Sequence, residues 1–187
     1  YLGNKGKIQQ LSARYQNLVI RKMENPVNNI YPFMPDFIKD HQISLARKYS
    51  QITHLLGFGF GEEGKTMGLA SYGTSYFDYT KINYHNLDFS LKYKDAIEDI
   101  NTKYILSGLS HKLFIDAERH NIAATIQKFI EYSLSSLLRN FQSRYQCTNL
   151  CLAGGIFLNC LANYRIIKET TYENVFILPA AGDDGQA

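Results

Sequence analysis

The sequence predicts an α/β domain rich in helix. Three observations carry that prediction. The chain closes on an alternation of strand, helix and strand; a long helical stripe runs just before it; and no stretch approaches the roughly 20 apolar residues that a membrane helix needs. Its 187 residues are enough for one domain with a sizeable core. Hydrophobic content of 45% and charged content of 20% belong to a folded protein, not a disordered one. A formal charge of +3 and a pI near 8.6 are too mild to argue for nucleic acid. Lys5, Lys7, Arg14, Arg21 and Lys22 read as a solvated face.

The elements follow in order. Residues 1–30 open with turn chemistry at Gly3-Asn4 and Gly6, then a polar stretch broken by Pro26. From about Pro35 to Leu56 the pattern turns helical: Phe37, Ile38, Leu45, Tyr49, Ile52 and Leu55 recur at steps of mostly three, four and seven, and Gly57 stops the run. Five glycines lie between Gly57 and Gly68, with a short helix expected from near Glu62. Residues 74–93 alternate imperfectly and suggest one or two half-buried strands. A short helix is expected over Asp95–Leu106, and the longest periodic element over about Asp116–Gln146. Ile115, Ile122, Ile126, Ile130, Leu134, Leu137, Phe141 and Tyr145 mark its face. The closing part reads as strand Asn149–Ala153, a Gly-Gly turn, helix Ile156–Glu169, strand Val175–Pro179 and an acidic turn.

Cysteines are few: Cys147, Cys151 and Cys160 supply no second ligand pair for a structural zinc site and read as reduced residues of a core strand and helix. With no disulfide framework and no signal-peptide pattern, a cytoplasmic protein is expected. The chain starts at Tyr1 and stops at Ala187 just after "GDDG", where Asp183 or Asp184 would cap a further helix. A piece of a longer protein is the expectation.

Three stretches could carry chemistry. In "LCLAGGIFLNCLANYRI" a strand ends in Gly154-Gly155 and feeds a helix, which puts bare backbone amides where a planar base or a phosphate can approach. Asn159 and Asn163 fall one helical turn apart, and an amide can both donate and accept, as a base edge requires. The alternative is tight helix–strand packing with both asparagines exposed. In "GEEGKTMGLASYG", Lys65 suits a phosphate and Glu62 or Glu63 suits ribose hydroxyls, unless the stretch is only a solvated helix start. Gly59 to Thr66 formally matches a Walker loop, but it follows an amphipathic helix and not a strand, so the match reads as false. In "ILPAAGDDGQA", an Asp just past a parallel-type strand could bind a divalent metal or only cap a helix. The histidines, His41, His54, His85, His111 and His120, have no ligand spacing and read as ordinary residues.

Together "SLARKYSQITHLLGFGFGEEGKTMGLASYG", "IAATIQKFIEYSL", "LCLAGGIFLNCLANYRI" and "ENVFILPAAGDDGQA" resemble the NodU/CmcH carbamoyltransferases, in that family's order, over roughly residues 41–187. Residues 1–30 match more loosely. The resemblance implies an incomplete, helix-rich actin-like ATPase domain (ASKHA, ribonuclease H-like), the fold of sugar kinases and Hsp70. It also implies kinship with the enzyme that attaches threonylcarbamoyl to tRNA. Residues 1–187 would be the middle-to-late part of the catalytic domain. The family's His-x-x-x-His pair, its first phosphate loop and its adenylate-forming domain would lie elsewhere, so the piece is expected to be inactive alone. Members move a carbamoyl group from carbamoyl phosphate to a hydroxyl of a small molecule of sugar, nodulation-factor or antibiotic type, through a carbamoyl-adenylate and with ATP. A divalent metal, iron or magnesium or manganese, is implied in the intact enzyme. The resemblance assigns Gly154, Gly155 and Asn159 to the adenosine end, Glu63 and Lys65 to ribose and phosphates, and Asp183 to the metal. Ser71 departs from it, standing where the family commonly has proline. An actin-like small-molecule kinase and a non-catalytic nucleotide-binding module are the alternatives. No nucleic-acid or membrane partner is expected, and the general base and oligomeric state are not legible.

Overall fold

The structure, a computed structural model, describes residues 2–4, 7–9, 45–78 and 89–182. Its spine is one helix, α4 (His111–Tyr145), 35 residues and therefore about 50 Å long. No Gly or Pro interrupts that span, so nothing in the backbone breaks it. Ile115, Ile122, Ile126, Ile130 and Leu134 of the expected stripe are buried, and Leu138 is buried where half-buried Leu137 was expected to lead. Ala123, Ala124, Ser133, Ser135 and Ser136 are buried too. They are small because four helices close around α4: α1 (Leu45–Leu55), α2 (Glu63–Ala70), α3 (Phe89–Ser107) and α5 (Cys160–Glu169). A helix packed on several sides needs more than one apolar stripe.

Gly57 ends α1 as its sequence suggests, at φ +84°, which a side chain would strain. Its N–H donates to the His54 carbonyl at 2.9 Å and the Phe58 N–H to that of Thr53 at 3.2 Å, the paired bonds of a Schellman stop. Residues 35–44 of the expected helix lie outside the described residues. α2 begins at Glu63, close to the expected start, and ends on Ser71, whose hydroxyl donates to the Gly68 carbonyl at 2.7 Å. The turn after it lies on α4: Thr74 N–H donates to Asn121 Oδ1 at 2.8 Å and Tyr76 N–H to Thr125 Oγ1 at 3.0 Å.

The strand reading of residues 74–93 is corrected at both ends, since residues 74–78 form no strand. From Phe89 the chain is already α3, which runs to Ser107 and is longer than the helix expected over 95–106. Ala96, Ile97, Ile100 and Asn101 are buried at helical spacing against α4, and that packing overrides the weak alternation before it. Residues 79–88 lie outside the described residues.

β3 (Asn149–Leu152) and β4 (Asn174–Ile177) pair in parallel, Asn149 opposite Asn174 and Leu152 opposite Ile177. Parallel neighbours need a crossover, and α5 supplies it. The alternation behind the α/β prediction is therefore present, as a small parallel sheet in a helix-rich fold. A second pair, β1 (Leu2–Asn4) and β2 (Lys7–Gln9), is antiparallel. No helix among the described residues is long and apolar enough to cross a membrane.

Candidate functional site

The helix expected over Ile156–Glu169 is broken in two. Gly155–Leu158 form a 3-10 turn, and α5 begins only at Cys160. Asn159 causes the break. Its backbone is extended (φ −78°, ψ 95°) and its Oδ1 accepts the Ala162 N–H at 3.0 Å, the bond of an N-cap. Asn caps well because its short side chain reaches a donor that the helix itself leaves unpaired; the bond is worth about 1 kcal/mol. Asn159 therefore stands before α5, not one turn inside it, and does not share a helical face with Asn163. The Asn163 amide turns back to donate to the Phe157 carbonyl at 2.7 Å. Both asparagines are half-buried, not exposed.

The two glycines have separate reasons. Gly154 has φ +112°, and its N–H donates to the Ala181 carbonyl at 2.6 Å, tying the turn to the chain beyond β4. Gly155 has no such φ and no atom within 4 Å of where a Cβ would stand. Neither backbone strain nor packing among the described residues asks for glycine there, which disfavours the tight-packing alternative at this position. Phe157 N–H donates to Gly154 and Asn159 N–H to Ile156. Gly155 and Ile156 open the turn, where N–H groups have no partner inside a helix.

α2 lies beside this edge. The Met67 sulfur is 3.8 Å from the Cys160 sulfur, and Ser50 Oγ on α1 donates to Glu63 Oε1 at 2.5 Å. Lys65 pairs with Glu62 and sits 5.9 Å from the centre of the Phe58 ring, whose surroundings also include the Arg119 guanidinium at 5.4 Å. Glu62 in turn accepts the Gly59 N–H at 2.7 Å, and the Lys65 bond first, then this one, holds its carboxyl below the usual range. Lys65 stays exposed, and an exposed pair one turn apart is weak, so its charge can be drawn to another anion. Thr66, the last residue of the formal Walker match, is buried and donates to Thr53 Oγ1 at 2.9 Å. It faces the core, and the match is false as expected.

Asp183 lies outside the described residues. The chain leading to it does not: Ala181 bonds Gly154, and Gly182 lies near Leu158. Glu63 and Lys65 thus sit at the start of α2, Gly154 and Gly155 at the start of the 3-10 turn and Asn159 at the start of α5, with the chain from Ala181 to Gly182 beside the last two. Among the described residues no three His, Cys, Asp or Glu side chains come together as a metal group. The cysteines are free, but the core placement expected for them fails: Cys151 and Cys160 are exposed and Cys147 half-buried. His54, His111 and His120 are exposed.

Behind Asn159 lies a polar cluster that the sequence reading missed. Gln127 and Glu131 on α4 are both buried, and Gln127 exchanges two hydrogen bonds with the Asn159 amide, at 2.9 and 3.1 Å. Tyr49 Oη donates to Gln127 Oε1 at 2.8 Å, and burial, then Glu131 and Glu63, push that phenol well up. Glu131 accepts from Gln127 at 2.9 Å and pairs with Arg165 at 3.2 Å and Lys128 at 3.3 Å. The Arg165 guanidinium stacks 3.5 Å above the Tyr132 ring and also holds Glu169 at 2.6 Å. A signal was present: Gln127 and Glu131 are polar residues one turn apart, each next to an isoleucine of the apolar stripe.

Comparison with known proteins identifies the family of the chain. Residues 9–187 match the family model for the carbamoyltransferase N-terminus, and the chain belongs to that family. It is 33% identical over 153 residues to protein MJ1058 of Methanocaldococcus jannaschii, covering 77% of this chain and 24% of that protein. It is 37% identical over 163 residues to protein sll1178 of Synechocystis, covering 77% of this chain and 26% of that protein. It is also 30% identical over 148 residues to the nodulation protein NolO of Bradyrhizobium diazoefficiens, covering 77% of this chain and 27% of that protein. The chain spans about a quarter of the length of these curated relatives. No solved structure matches it.

Proposed function

We propose that this chain is the nucleotide-binding part of an ATP-dependent O-carbamoyltransferase with an actin-like ATPase fold. The intact enzyme would move a carbamoyl group from carbamoyl phosphate, through a carbamoyl-adenylate, to a hydroxyl of a small molecule. The observation that carries this reading is Gly155: a bare backbone at the mouth of a helical turn, with no demand for glycine from the described residues, in a chain whose family is carbamoyl-transferring. Glycine there lets a nucleotide approach the backbone within contact distance.

The chain's own residues would act as follows. Gly155 and Ile156 offer N–H groups at the open edge, and Asn159 offers a side-chain donor. Lys65 leaves its weak pair with Glu62 to meet a phosphate, and Glu63 accepts from a ribose hydroxyl in place of Ser50. The site would have to keep water from the mixed anhydride, whose good leaving group makes it easily hydrolysed. Asp183 would be a metal ligand, and a bound divalent metal would supply charge stabilisation at the phosphates. The described residues hold no further ligand set, so no step is derived from it. The test is acceptor-independent: the full-length protein should release pyrophosphate from ATP only when carbamoyl phosphate is present. Pyrophosphate release that ignores carbamoyl phosphate, or none at all, sinks the reading.

A further inference from the structure

We infer that Gln127 makes Asn159 a one-way hydrogen-bond donor, so that the ligand atom meeting Asn159 must be an acceptor. The inference rests on the nucleotide reading above and adds a positioning residue and a specificity rule to it.

The argument is an inventory of donors and acceptors. The Ala162 backbone N–H can only donate, so the atom of Asn159 facing it at 3.0 Å is the oxygen. That oxygen also accepts Gln127 Nε2 at 3.1 Å, and its two lone pairs are spent. Gln127 is itself fixed. Glu131 can only accept when ionised, so the Gln127 nitrogen must face it at 2.9 Å. The Gln127 oxygen then takes Tyr49 Oη at 2.8 Å and Asn159 Nδ2 at 2.9 Å. Every donor and acceptor of the Gln127 amide is used, in a site 3% exposed. The Asn159 amide cannot flip without facing N–H against N–H at Ala162 and again at Gln127. What remains to Asn159 is one N–H on Nδ2. The simultaneous donor and acceptor contact expected from the sequence is therefore unavailable, and Asn159 selects a ring nitrogen or a hydroxyl oxygen of adenosine.

The experiment titrates the full-length protein, by calorimetry, with ATP and with analogues that each lack one adenosine acceptor: N1, N3, N7, or the 2′- or 3′-hydroxyl. The parent should bind ATP and lose about tenfold for one analogue. Asn159→Asp keeps the cap acceptor but has no N–H. Its second carboxylate oxygen faces Gln127 Oε1 in place of a donor, so the variant should melt below the parent yet stay folded, bind ATP about tenfold more weakly, and no longer distinguish that analogue. Gln127→Met removes the clamp, and the same discrimination should shrink toward one. A merely structural role for Gln127 would lower all affinities together and leave their ratios alone. Unchanged ratios in both variants, with ATP still bound, overturn the inference and leave the nucleotide reading standing. A parent that binds no member of the series removes the nucleotide reading and this inference with it.

Discussion

Replacing Gly73 by alanine tests how the turn after α2 sits on the spine. A Cβ built on Gly73 would fall 2.0 Å from the His120 carbonyl oxygen, 2.2 Å from its carbon and 2.7 Å from the Asn121 nitrogen. All three are backbone atoms inside α4, so no rotamer change can relieve the contact. The turn must lift by roughly 1 Å or more to reach a tolerable separation. Lifting it stretches the Thr74–Asn121 and Tyr76–Thr125 bonds, and the Tyr76 hydroxyl bond to Glu118 at 2.5 Å. Overpacking costs about 1–3 kcal/mol, and each lost bond about 1 kcal/mol, so Gly73→Ala should cost about 2–5 kcal/mol. Hydrogen exchange read by mass spectrometry on the full-length protein should show peptides over 70–78 and 118–126 losing protection at least tenfold. Gly68→Ala is the control. Gly68 is helical with nothing within 4 Å, and alanine there should be neutral or stabilise by about 0.5–1 kcal/mol. Equal protection in Gly73→Ala and the parent would refute the packing of this turn on α4.

Three other outcomes are expected. Arg165→Met takes from buried Glu131 one of its two cation partners among the described residues, leaving half-exposed Lys128, and should cost about 2–3 kcal/mol in chemical unfolding; adding Glu131→Leu should recover much of that, since an uncompensated charge is the main penalty. The Tyr76 hydroxyl first, then Asn121, holds the Glu118 carboxyl below its usual range. Its stabilising effect is therefore full above the ordinary carboxylate pKa and fades as pH falls through about 4 and lower, and Tyr76→Phe should flatten that acid limb of a stability–pH profile. In the full-length protein Asp183→Asn should lower metal content and carbamoyl transfer while Asp184→Asn stays mild, as metal analysis and product assay would show; a severe loss confined to Asp184→Asn would move the ligand by one residue.

How much of this was legible depends on the range of the interaction concerned. The stripe on α4, the stop at Gly57 and the strand–turn–helix–strand close are local signals, set within a few residues, and the structure carries each of them. The start of α3 was not legible, because what anchors α3 is the packing of Ala96, Ile97 and Ile100 on α4, and the pattern before them is too weak to mark where the helix begins. Asn159 stands between these cases. Its type and place near two glycines marked it from the sequence, and Asn is a strong cap, yet the apolar run around it concealed the break.

What Asn159 can offer a ligand was beyond any local pattern. An isolated amide donates and accepts, and its spacing from the glycines suggests a base edge. The acceptor is consumed by Ala162 three residues on and by Gln127, 32 residues back on another helix. Gln127 is oriented in turn by a carboxylate on its own helix and by Tyr49 on α1, 78 residues away. Each link is an ordinary hydrogen bond of about 1 kcal/mol, and in a buried site each forbids the reversed amide, because the reversal leaves polar groups unpaired. Polarity at the candidate site is thus a property of three helices packed together. On the inference above, a single substitution on α4, Gln127→Met, should release it.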